Sequence, residues 1–444
     1  MKANTIVKKA TLAALAFLFW NTTTAQNMYQ YASIGCTSTY TETIIRGVTA
    51  NTFIHCQHVN TSSEFILVNV SSLYSPSGTK FALPTNLIVN DFVVEDDDVY
   101  FCGYDNSLSQ GIVGRFPLSN FSNITGTVTY ATVPATDTNY FNSIKTYTDP
   151  NSNRKKAAAI GFVPGSNGVP NKSSVCIFDF SSTTVTCNYY GFAQGNDYYY
   201  PFQDLDVTSN FIAIIGAINS NSAFLCKIPK SNTSQMTYYP ISNNVGYNSS
   251  CHIEALSNDR IAFCSLGMVS SPTTSYVTSV YTYDLSSSIP ACLNVQDIPL
   301  YNPGDADDLL YIRDNGDLLL LQTTPVAPSG NAYPVIYTLN PLSSNYNSTL
   351  IYSTDHKLTT LGRLTNLHYL IGGIDPYKNH CFIVRFNNGT VPYYCLKNGT
   401  VFVTHNSSKA STPNTFNLSK KNYSLTTVPV SIYGENMTWK CSDE

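Results

Sequence analysis

Short apolar runs separated by polar turns recur along the chain at nearly constant spacing. Residues 176–182 align without a gap to residues 281–287, and each run is followed by a cysteine, Cys187 or Cys292, eight residues past its aspartate. A second apolar run lies upstream in each unit. Its last apolar position recurs at residues 56, 102, 160, 215, 264, 321 and 371, which are about 52 residues apart on average. The chain is therefore built from repeats.

Each repeat has the pattern of four short strands, joined by a tight turn, a longer loop and a second turn. Polar pairs such as Ser209-Asn210 and Asn258-Asp259 precede the second strand, and helical periodicity is nearly absent beyond residue 25. Short strands with this period resemble those of β-propellers, in which each blade is a four-stranded sheet. The resemblance implies an all-β fold of about seven blades. Two β-sandwich domains are the alternative, but they would not repeat a four-strand unit seven times.

Two interpretations are possible for how the ends of the repeat region close the ring. We assign residues 26–405 to the propeller and residues 406–444 to a closing strand or an appendage. Strand-forming runs at 400–404 and 426–432 close the ring together with the N-terminal run 29–34, or else form an eighth partial blade.

The first 25 residues have the layout of a cleavable secretory signal. Lys2, Lys8 and Lys9 precede an eleven-residue apolar run, and small residues stand at Thr23 and Ala25, so cleavage is expected after Ala25. The run is too short to span a bilayer. Its junction resembles those of exported proteins of Bacteroidetes. We therefore expect a secreted, extracellular or periplasmic protein without a transmembrane segment.

Composition narrows the functional classes. Only 12% of the residues are charged, 43% are hydrophobic, and 24 Lys and Arg are spread along 444 residues. This excludes disorder for most of the chain and argues against nucleic-acid binding, which requires clustered basic residues. The only tryptophans are Trp20 and Trp439, so the propeller families that carry a tryptophan in each blade are not matched. No named family, cofactor or metal site is predicted.

The twelve cysteines all follow Ala25, as expected of an oxidising compartment. Two hairpin disulfides are hypotheses, and so is a bond that ties the ends of the ring. Cys56, Cys102 and Cys264 occupy one equivalent slot, where buried free thiols are expected. The hypothetical pairs are Cys176 with Cys187, Cys381 with Cys395, and Cys36 with Cys441.

The candidate binding residues lie on the first strand of several repeats, which lines the central channel of a propeller. His252 and Glu254 share a strand face because they are two residues apart, and Asp204 and Asp206 do the same in the preceding repeat. Such carboxylates, together with the histidine, either bind a cation or act as acid and base on a sugar. Alternatively, they hydrogen-bond to water and backbone. Further aspartates at comparable positions are Asp91, Asp305, Asp307 and Asp308.

Three further groups of residues are weaker candidates for a functional site. Tyr198, Tyr199 and Tyr200 precede a first strand and provide flat contact area for a sugar or a protein, or else are buried strand tyrosines. His55 and His58 are three apart on a strand, so they face opposite sides and cannot share a metal. The run 96–98, three aspartates, is assigned to a solvated turn.

No catalytic motif for a serine hydrolase, zinc protease or nucleotide-binding enzyme is present. The sequence therefore favours a non-enzymatic exported propeller that binds a glycan or an extracellular protein. A glycoside hydrolase or lyase that uses the channel carboxylates is the alternative, and a purely structural envelope role is the third.

Overall fold

The computed structural model describes most of the repeat region and two short strands beyond it. The described residues are 27–35, 43–49, 51–59, 61–69, 77–121, 128–133, 140–163, 172–180, 186–192, 202–219, 222–241, 251–269, 275–299, 306–312, 316–325, 332–343, 346–350, 357–363, 368–375, 380–387, 414–416 and 428–430. All regular structure in these ranges is β-strand, apart from one 3-10 turn at Leu118–Phe121.

The first three blades are four-stranded sheets made of consecutive antiparallel strands. Blade 1 contains β2 (Thr43–Thr49), β3 (Thr52–Val59), β4 (Ser62–Asn69) and β5 (Ser77–Ala82). Blade 2 contains β6 (Leu87–Glu95), β7 (Asp98–Asp105), β8 (Gln110–Pro117) and β9 (Thr129–Val133). Blade 3 contains β10 (Tyr140–Thr148), β11 (Lys155–Val163), β12 (Lys172–Asp179) and β13 (Thr186–Phe192).

The next three blades repeat this order. Blade 4 contains β14 (Phe202–Val207), β15 (Phe211–Asn219), β16 (Ser222–Pro229) and β17 (Thr237–Ile241). Blade 5 contains β18 (His252–Ala255), β19 (Arg260–Val269), β20 (Ser275–Asp284) and β21 (Ala291–Pro299). Blade 6 contains β22 (Ala306–Ile312), β23 (Asp317–Pro325), β24 (Ala332–Leu339) and β25 (Tyr346–Leu350).

A seventh four-stranded sheet joins the two ends of the repeat region. It contains β26 (Lys357–Arg363), β27 (His368–Asp375), β28 (His380–Asn387) and, as its outer strand, β1 (Asn27–Gly35). β1 runs antiparallel to β28, with Asn27 opposite Asn387, so the N-terminal run closes the ring. A separate two-stranded sheet pairs β29 (Asn414–Phe416) with β30 (Val428–Val430). The predicted all-β propeller is confirmed.

Turn chemistry explains why the first and second strands of a blade pair so tightly. Asp96 and Asp97 form a two-residue turn with φ angles of 51° and 62°, and Asn258 and Asp259 have φ angles of 60° and 55°. Aspartate and asparagine tolerate this left-handed region better than other non-glycine residues do. Asp96 and Asp97 are exposed, so these two residues form the predicted solvated turn, whereas Asp98 is the first residue of β7.

The hydrophobic core lies between adjacent blades. Between blades 1 and 2 the Phe65 ring packs edge-on against Phe92 and Phe116, with centroids 5.2 and 5.1 Å apart. Comparable buried clusters join the succeeding blades up to blade 6. From blade 1 to blade 6 this packing fixes the first strands, because the facing surfaces of adjacent sheets are buried against each other.

The cysteines follow the prediction in part. Cys56, Cys102 and Cys264 are buried free thiols, as expected. Cys176 is also buried, and the disulfide hypothesis for Cys176 and Cys187 stays a prediction. The strand register places Cys176 opposite Tyr189 and Cys187 opposite Phe178. The backbone of Cys381 lies in β28, while Cys395, Cys36 and Cys441 fall outside the described residues.

Candidate functional site in the central channel

The first strands of the seven sheets pack side by side around the central channel. Six consecutive first strands, from β2 to β22, each contribute one polar or charged side chain to a belt around this channel. The belt residues are Arg46, Asp91, Ser143, Asp204, His252 and Asp308. Three of these, Asp91, Asp204 and Asp308, are the aspartates that the repeat pattern identified.

Each belt aspartate connects its own blade to the next one. One oxygen of Asp91 accepts the amide of the following residue, Phe92, and the other accepts the Ile144 amide of β10 at 3.0 Å. Asp204 likewise accepts the amides of Leu205 and Ile253. Charge-assisted hydrogen bonds of this kind are stronger than neutral ones.

Asp308 repeats the same geometry one blade further along. It accepts the Leu309 amide of its own strand at 2.9 Å and the Leu361 amide of β26 at 2.6 Å. Carboxylates therefore connect blades 2 to 3, 4 to 5 and 6 to 7 at the channel wall. These bonds hold the ring of blades together.

A β-bulge places these side chains. The strand register shifts immediately before Asp91, Ser143, Asp204 and Asp308, so each follows one bulged residue. Bulges redirect side chains and are frequent beside functional sites. The polar residue at the bulge also connects blades: Asn90 Nδ2 donates to the Phe141 carbonyl, Asn142 Nδ2 to the Phe202 carbonyl, and Gln203 Oε1 accepts the Cys251 amide.

Ser143 lies between two carboxylates. Its hydroxyl is 3.1 Å from Asp91 Oδ2 and 2.8 Å from Asp204 Oδ1. A hydroxyl has one proton and donates to one of them at a time, so the second contact is favourable when the other carboxyl is protonated. Burial raises the pKa of Asp91, against the opposing effect of Arg46 and Lys145. The two contacts of Ser143 and the raised pKa of Asp91 therefore allow one proton to be shared between Asp91 and Asp204 through the Ser143 hydroxyl.

Arg46 provides the positive charge of the belt. Its Nη2 is 2.8 Å from Asp91 Oδ1, and its Nε donates to the carbonyl of Phe92 at 3.1 Å. Burial alone would lower the pKa of Arg46, but the surrounding carboxylates, Asp91 first, raise it. The side chain keeps 27% of its surface exposed.

His252 stands between two carboxylates on the other side of the belt. Its Nδ1 is 3.7 Å from Asp204 and 3.8 Å from Asp308. Burial acts to raise the pKa of Asp204, but the hydrogen bond with His252, the charges of His252 and Lys145 and the Ile253 amide together lower it. Asp91 and Asp204 thus have pKa shifts of opposite direction on either side of Ser143.

A second group of charged side chains, Lys145 and Asp206, lies two residues further along the first strands than the belt residues Ser143 and Asp204. Asp206 accepts the amides of Val207 and Ala255, and Lys145 Nζ approaches it to 3.7 Å. Burial acts to lower the pKa of Lys145, but Asp206, Glu254 and Asp204 raise it. Asp206 thus repeats the connection of blade 4 to blade 5 that Asp204 makes.

The structure brings four of the predicted binding residues together. His252 and Asp204 lie in contact distance, and Asp206 and Glu254 lie on the same two strands. Tyr198, Tyr199, Tyr200 and Asp305 fall outside the described residues. Sequence reasoning missed Arg46, Lys145 and Ser143. A signal was present for Ser143: an apolar residue followed by two polar ones recurs in these strands, at 89–91, 141–143, 202–204 and 306–308.

The two histidines of β3, His55 and His58, lie on opposite faces of the strand, as their spacing predicts. His58 is half-buried, and its Nε2 lies 2.7 Å from the Val89 carbonyl of blade 2. His55 is fully buried on the opposite face of the strand, and neither ring nitrogen has a hydrogen-bond partner. Burial lowers the pKa of His55 to about 3, so the imidazole is neutral.

In the described part of the chain, no group of three or more His, Cys, Asp or Glu residues is arranged to hold a metal ion. No helix in the described ranges is long and apolar enough to cross a membrane.

Comparisons with known proteins give a structural likeness only. No protein-family model and no curated protein sequence matches the chain. Among solved structures, the β-propeller domain of the Trilobed protease from Pyrococcus furiosus is 10% identical with a TM-score of 0.46, and the alignment covers 82% of this chain and 95% of that one. The WD40 domain of Toxoplasma gondii coronin is 9% identical, with a TM-score of 0.46 and coverages of 85% and 89%. The extracellular domain of a putative hybrid two-component system from B. thetaiotaomicron is 11% identical, with a TM-score of 0.47 and coverages of 84% and 40%.

Proposed function

We propose that the chain is an exported β-propeller that acts as a binding scaffold for a glycan or a protein ligand. The ligand surface is the end of the channel at which the belt lies. The observation that carries the proposal is the position of the connections into the first strands. Connections of four to ten residues enter the first strands β6 to β26 at the end of the channel at which the belt lies. Loops positioned by a rigid scaffold commonly carry binding function.

The belt supports a binding role better than a catalytic one. The oxygens of Asp204 and Asp308 already accept hydrogen bonds from backbone amides of two blades, so they take part in the contacts that hold the ring together. Their side chains nevertheless keep 18% and 19% of their surface exposed, and that of His252 keeps 25%. The belt therefore presents a polar, fixed floor under the loops.

The loop before β14 is the part of this surface that we test first. It contains Tyr198, Tyr199 and Tyr200, whose rings would stack on a sugar or fill a protein pocket. The experiment is a glycan and extracellular-protein binding array on the chain from Gln26 onward, followed by titration of any ligand found. We expect Tyr198→Ala and Tyr200→Ala to weaken binding by about fivefold, since aromatic contacts contribute roughly 1 kcal/mol beyond their burial.

Tyr130 provides the matched control. It is an exposed tyrosine on the outer strand β9, so Tyr130→Ala removes the same side chain away from the channel and should leave the affinity unchanged. Equal losses for Tyr130→Ala and Tyr198→Ala, or full affinity in Tyr198→Ala and Tyr200→Ala, would show that the ligand does not use this loop.

A carbohydrate-active enzyme is the second candidate, and one observation favours it. Asp91 and Asp204 lie within about 6 Å of one another through Ser143, and their pKa values shift in opposite directions. Such pairs can act as acid and base. Against this, the Ser143 hydroxyl occupies the space between them. Turnover of a polysaccharide panel that Asp204→Asn abolishes without loss of folding would support the enzyme, whereas binding without turnover supports the scaffold.

Export is tested separately. The first 25 residues support a secretory signal, so we expect the protein recovered outside the cytoplasm to begin at Gln26. Mass measurement of the intact secreted chain gives the cleavage point, and a cytoplasmic protein that retains Met1 or Lys2 contradicts export.

A further inference from the structure

The six belt residues alternate in chemistry around the channel. Blades 2, 4 and 6 contribute aspartates, whereas blades 1, 3 and 5 contribute side chains that lie beside those carboxylates and donate to them. The three donors are Arg46, Ser143 and His252. An arginine is charged at any physiological pH and a serine hydroxyl is neutral. His252 is therefore the belt residue whose charge changes near neutral pH.

His252 lies between carboxylates of both neighbouring blades. Its Nδ1 is 3.7 Å from Asp204 of blade 4 and 3.8 Å from Asp308 of blade 6. Backbone amides of Ile253 and Leu361 donate to these two carboxylates and hold them in place. An opposite charge within about 4–6 Å favours the charged form of a titratable group. The two aspartates therefore favour a protonated imidazole.

The other titratable groups around β18 add negative charge. Glu254 lies two residues beyond His252 on the same strand face, and Asp206 lies two residues beyond Asp204 on β14. The thiols of Cys264, opposite His252, and of the adjoining Cys251 stay neutral, because burial raises the pKa of both. β15 also packs against β18 and contains no titratable residue.

The basic side chains of this region lie beside other carboxylates. The pairs are Lys145 with Asp206, Arg46 with Asp91, and Arg260 with Asp284. Among the described residues, His252 is the only basic side chain within salt-bridge distance of Asp204 or of Asp308. The charge of these two aspartates is thus available to His252.

The step from blade 5 to blade 6 differs from the other steps of the ring. At the five other steps between blade 1 and blade 7, a side chain at the channel wall hydrogen-bonds to the backbone of the next blade. β18 has no register shift at His252, so it lacks the bulge that places such side chains elsewhere. In the described part of this step, the side-chain contact at the channel wall is that of His252 with Asp308.

His252 is also positioned to gain and lose a proton in the folded protein. Its side chain keeps 25% of its surface exposed, whereas His55 is fully buried. Against the effect of burial, the hydrogen bond and the charge of His252 lower the pKa of Asp204. Coupling of this kind is reciprocal, so the charged carboxylate stabilises the protonated imidazole in return.

We propose that His252 is a pH-dependent connection in the ring. The protonated imidazole attracts Asp204 and Asp308 and holds blades 4, 5 and 6 together at the channel wall. Loss of the proton removes this attraction and weakens the step from blade 5 to blade 6. The folded protein binds the proton more tightly than the unfolded chain does. The stabilisation is therefore complete below about pH 6.5 and is lost as the pH rises above that value.

The first test measures the protonation of His252 directly. Deuterium exchange at the imidazole C2 carbon is followed by peptide mass mapping of the full chain between pH 5 and pH 9, as a set of about nine samples. We expect a titration midpoint for His252 above about 6.5, the ordinary value for histidine. Asp308→Asn should lower this midpoint by about one unit, because it removes one of the two flanking charges. Asp97→Asn is the matched control, since it makes the same change in an exposed turn and should leave the midpoint unchanged.

The second test measures the connection between the blades. Amide hydrogen exchange in β18 and β22 is compared at about pH 6 and about pH 8.5, after correction for the intrinsic exchange rates. Protection should be about tenfold lower at the higher pH, because one unit of difference in proton affinity is a tenfold change in the equilibrium. His252→Gln should show the same protection at both pH values. A midpoint at or below about 6.5, a midpoint that Asp308→Asn leaves unchanged, or pH-dependent protection that persists in His252→Gln would overturn the proposal.

Discussion

Asp204→Ala tests whether the belt carboxylates hold the blades together. The substitution removes the acceptor for the Leu205 and Ile253 amides, at 2.8 and 3.1 Å, and for the Ser143 hydroxyl. Each buried amide left without a partner costs about 1–3 kcal/mol, so the two amides together predict a loss of about 4 kcal/mol. Unfolding entropy is about 2.1 cal/mol/K per residue, and over the about 360 residues from β1 to β28 this loss corresponds to about 5 °C in Tm.

The measurement is thermal unfolding followed by circular dichroism, with guanidinium unfolding as a second readout. Asp204→Asn should lose about half as much, because its carbonyl oxygen still accepts one amide. Asp97→Asn is the control: Asp97 is an exposed aspartate in a turn whose φ of 62° asparagine also adopts, and we expect no change. A Tm for Asp204→Ala within about 1 °C of the native value would refute the view that this carboxylate connects blades 4 and 5.

Three further substitutions test the core and the buried histidine. Burial depresses the pKa of His55 from 6.5 to about 3. The stabilising contribution of the neutral imidazole is therefore complete above pH 6.5 and is lost as the pH falls towards 3, so the free energy of unfolding falls by about 1.4 kcal/mol per pH unit. In guanidinium titrations at a series of pH values, His55→Leu should remove this pH dependence. Phe65→Ala should lower the free energy of unfolding by about 3–5 kcal/mol, as measured with guanidinium, because the ring packs against Phe92 and Phe116. In Gly103→Ala the added carbon would lie 1.9 Å from a backbone oxygen of the facing strand, so we expect a loss of about 3 kcal/mol or more, and a Tm within about 1 °C of the native value would contradict it.

The repeat and the fold were predictable because both rest on local patterns. The alternation of apolar residues and the turn residues recur at each blade, so the four-stranded unit could be recognised from its spacing alone. The pairing of β1 with β28 was one of two open interpretations, because the residues that pair are at opposite ends of the repeat region. Sequence patterns within one repeat carry no information about such distant pairs.

The candidate site was predictable only in part. The aspartates were recognised, but their role in connecting blades depends on bulges that shift the register by one residue. The disulfide hypothesis for Cys176 and Cys187 depends on register in the same way, since Cys176 lies opposite Tyr189. Arg46 and Lys145 were missed because a single basic residue on a strand is unremarkable until the carboxylates of other blades surround it.

The pairing of β1 with β28 also governs the order in which the molecule can assemble. Asn27 meets Asn387 only after all the intervening blades have been synthesised, and bringing ends so far apart together costs roughly 5 kcal/mol of chain entropy. Blades 1 to 6 are each made of consecutive strands and can form as hairpins while the chain emerges. The last sheet has to wait with β26, β27 and β28 exposing an open edge until the N-terminal strand returns. Ring closure is therefore the step at which a nascent chain is most exposed to pairing with a strand of another molecule.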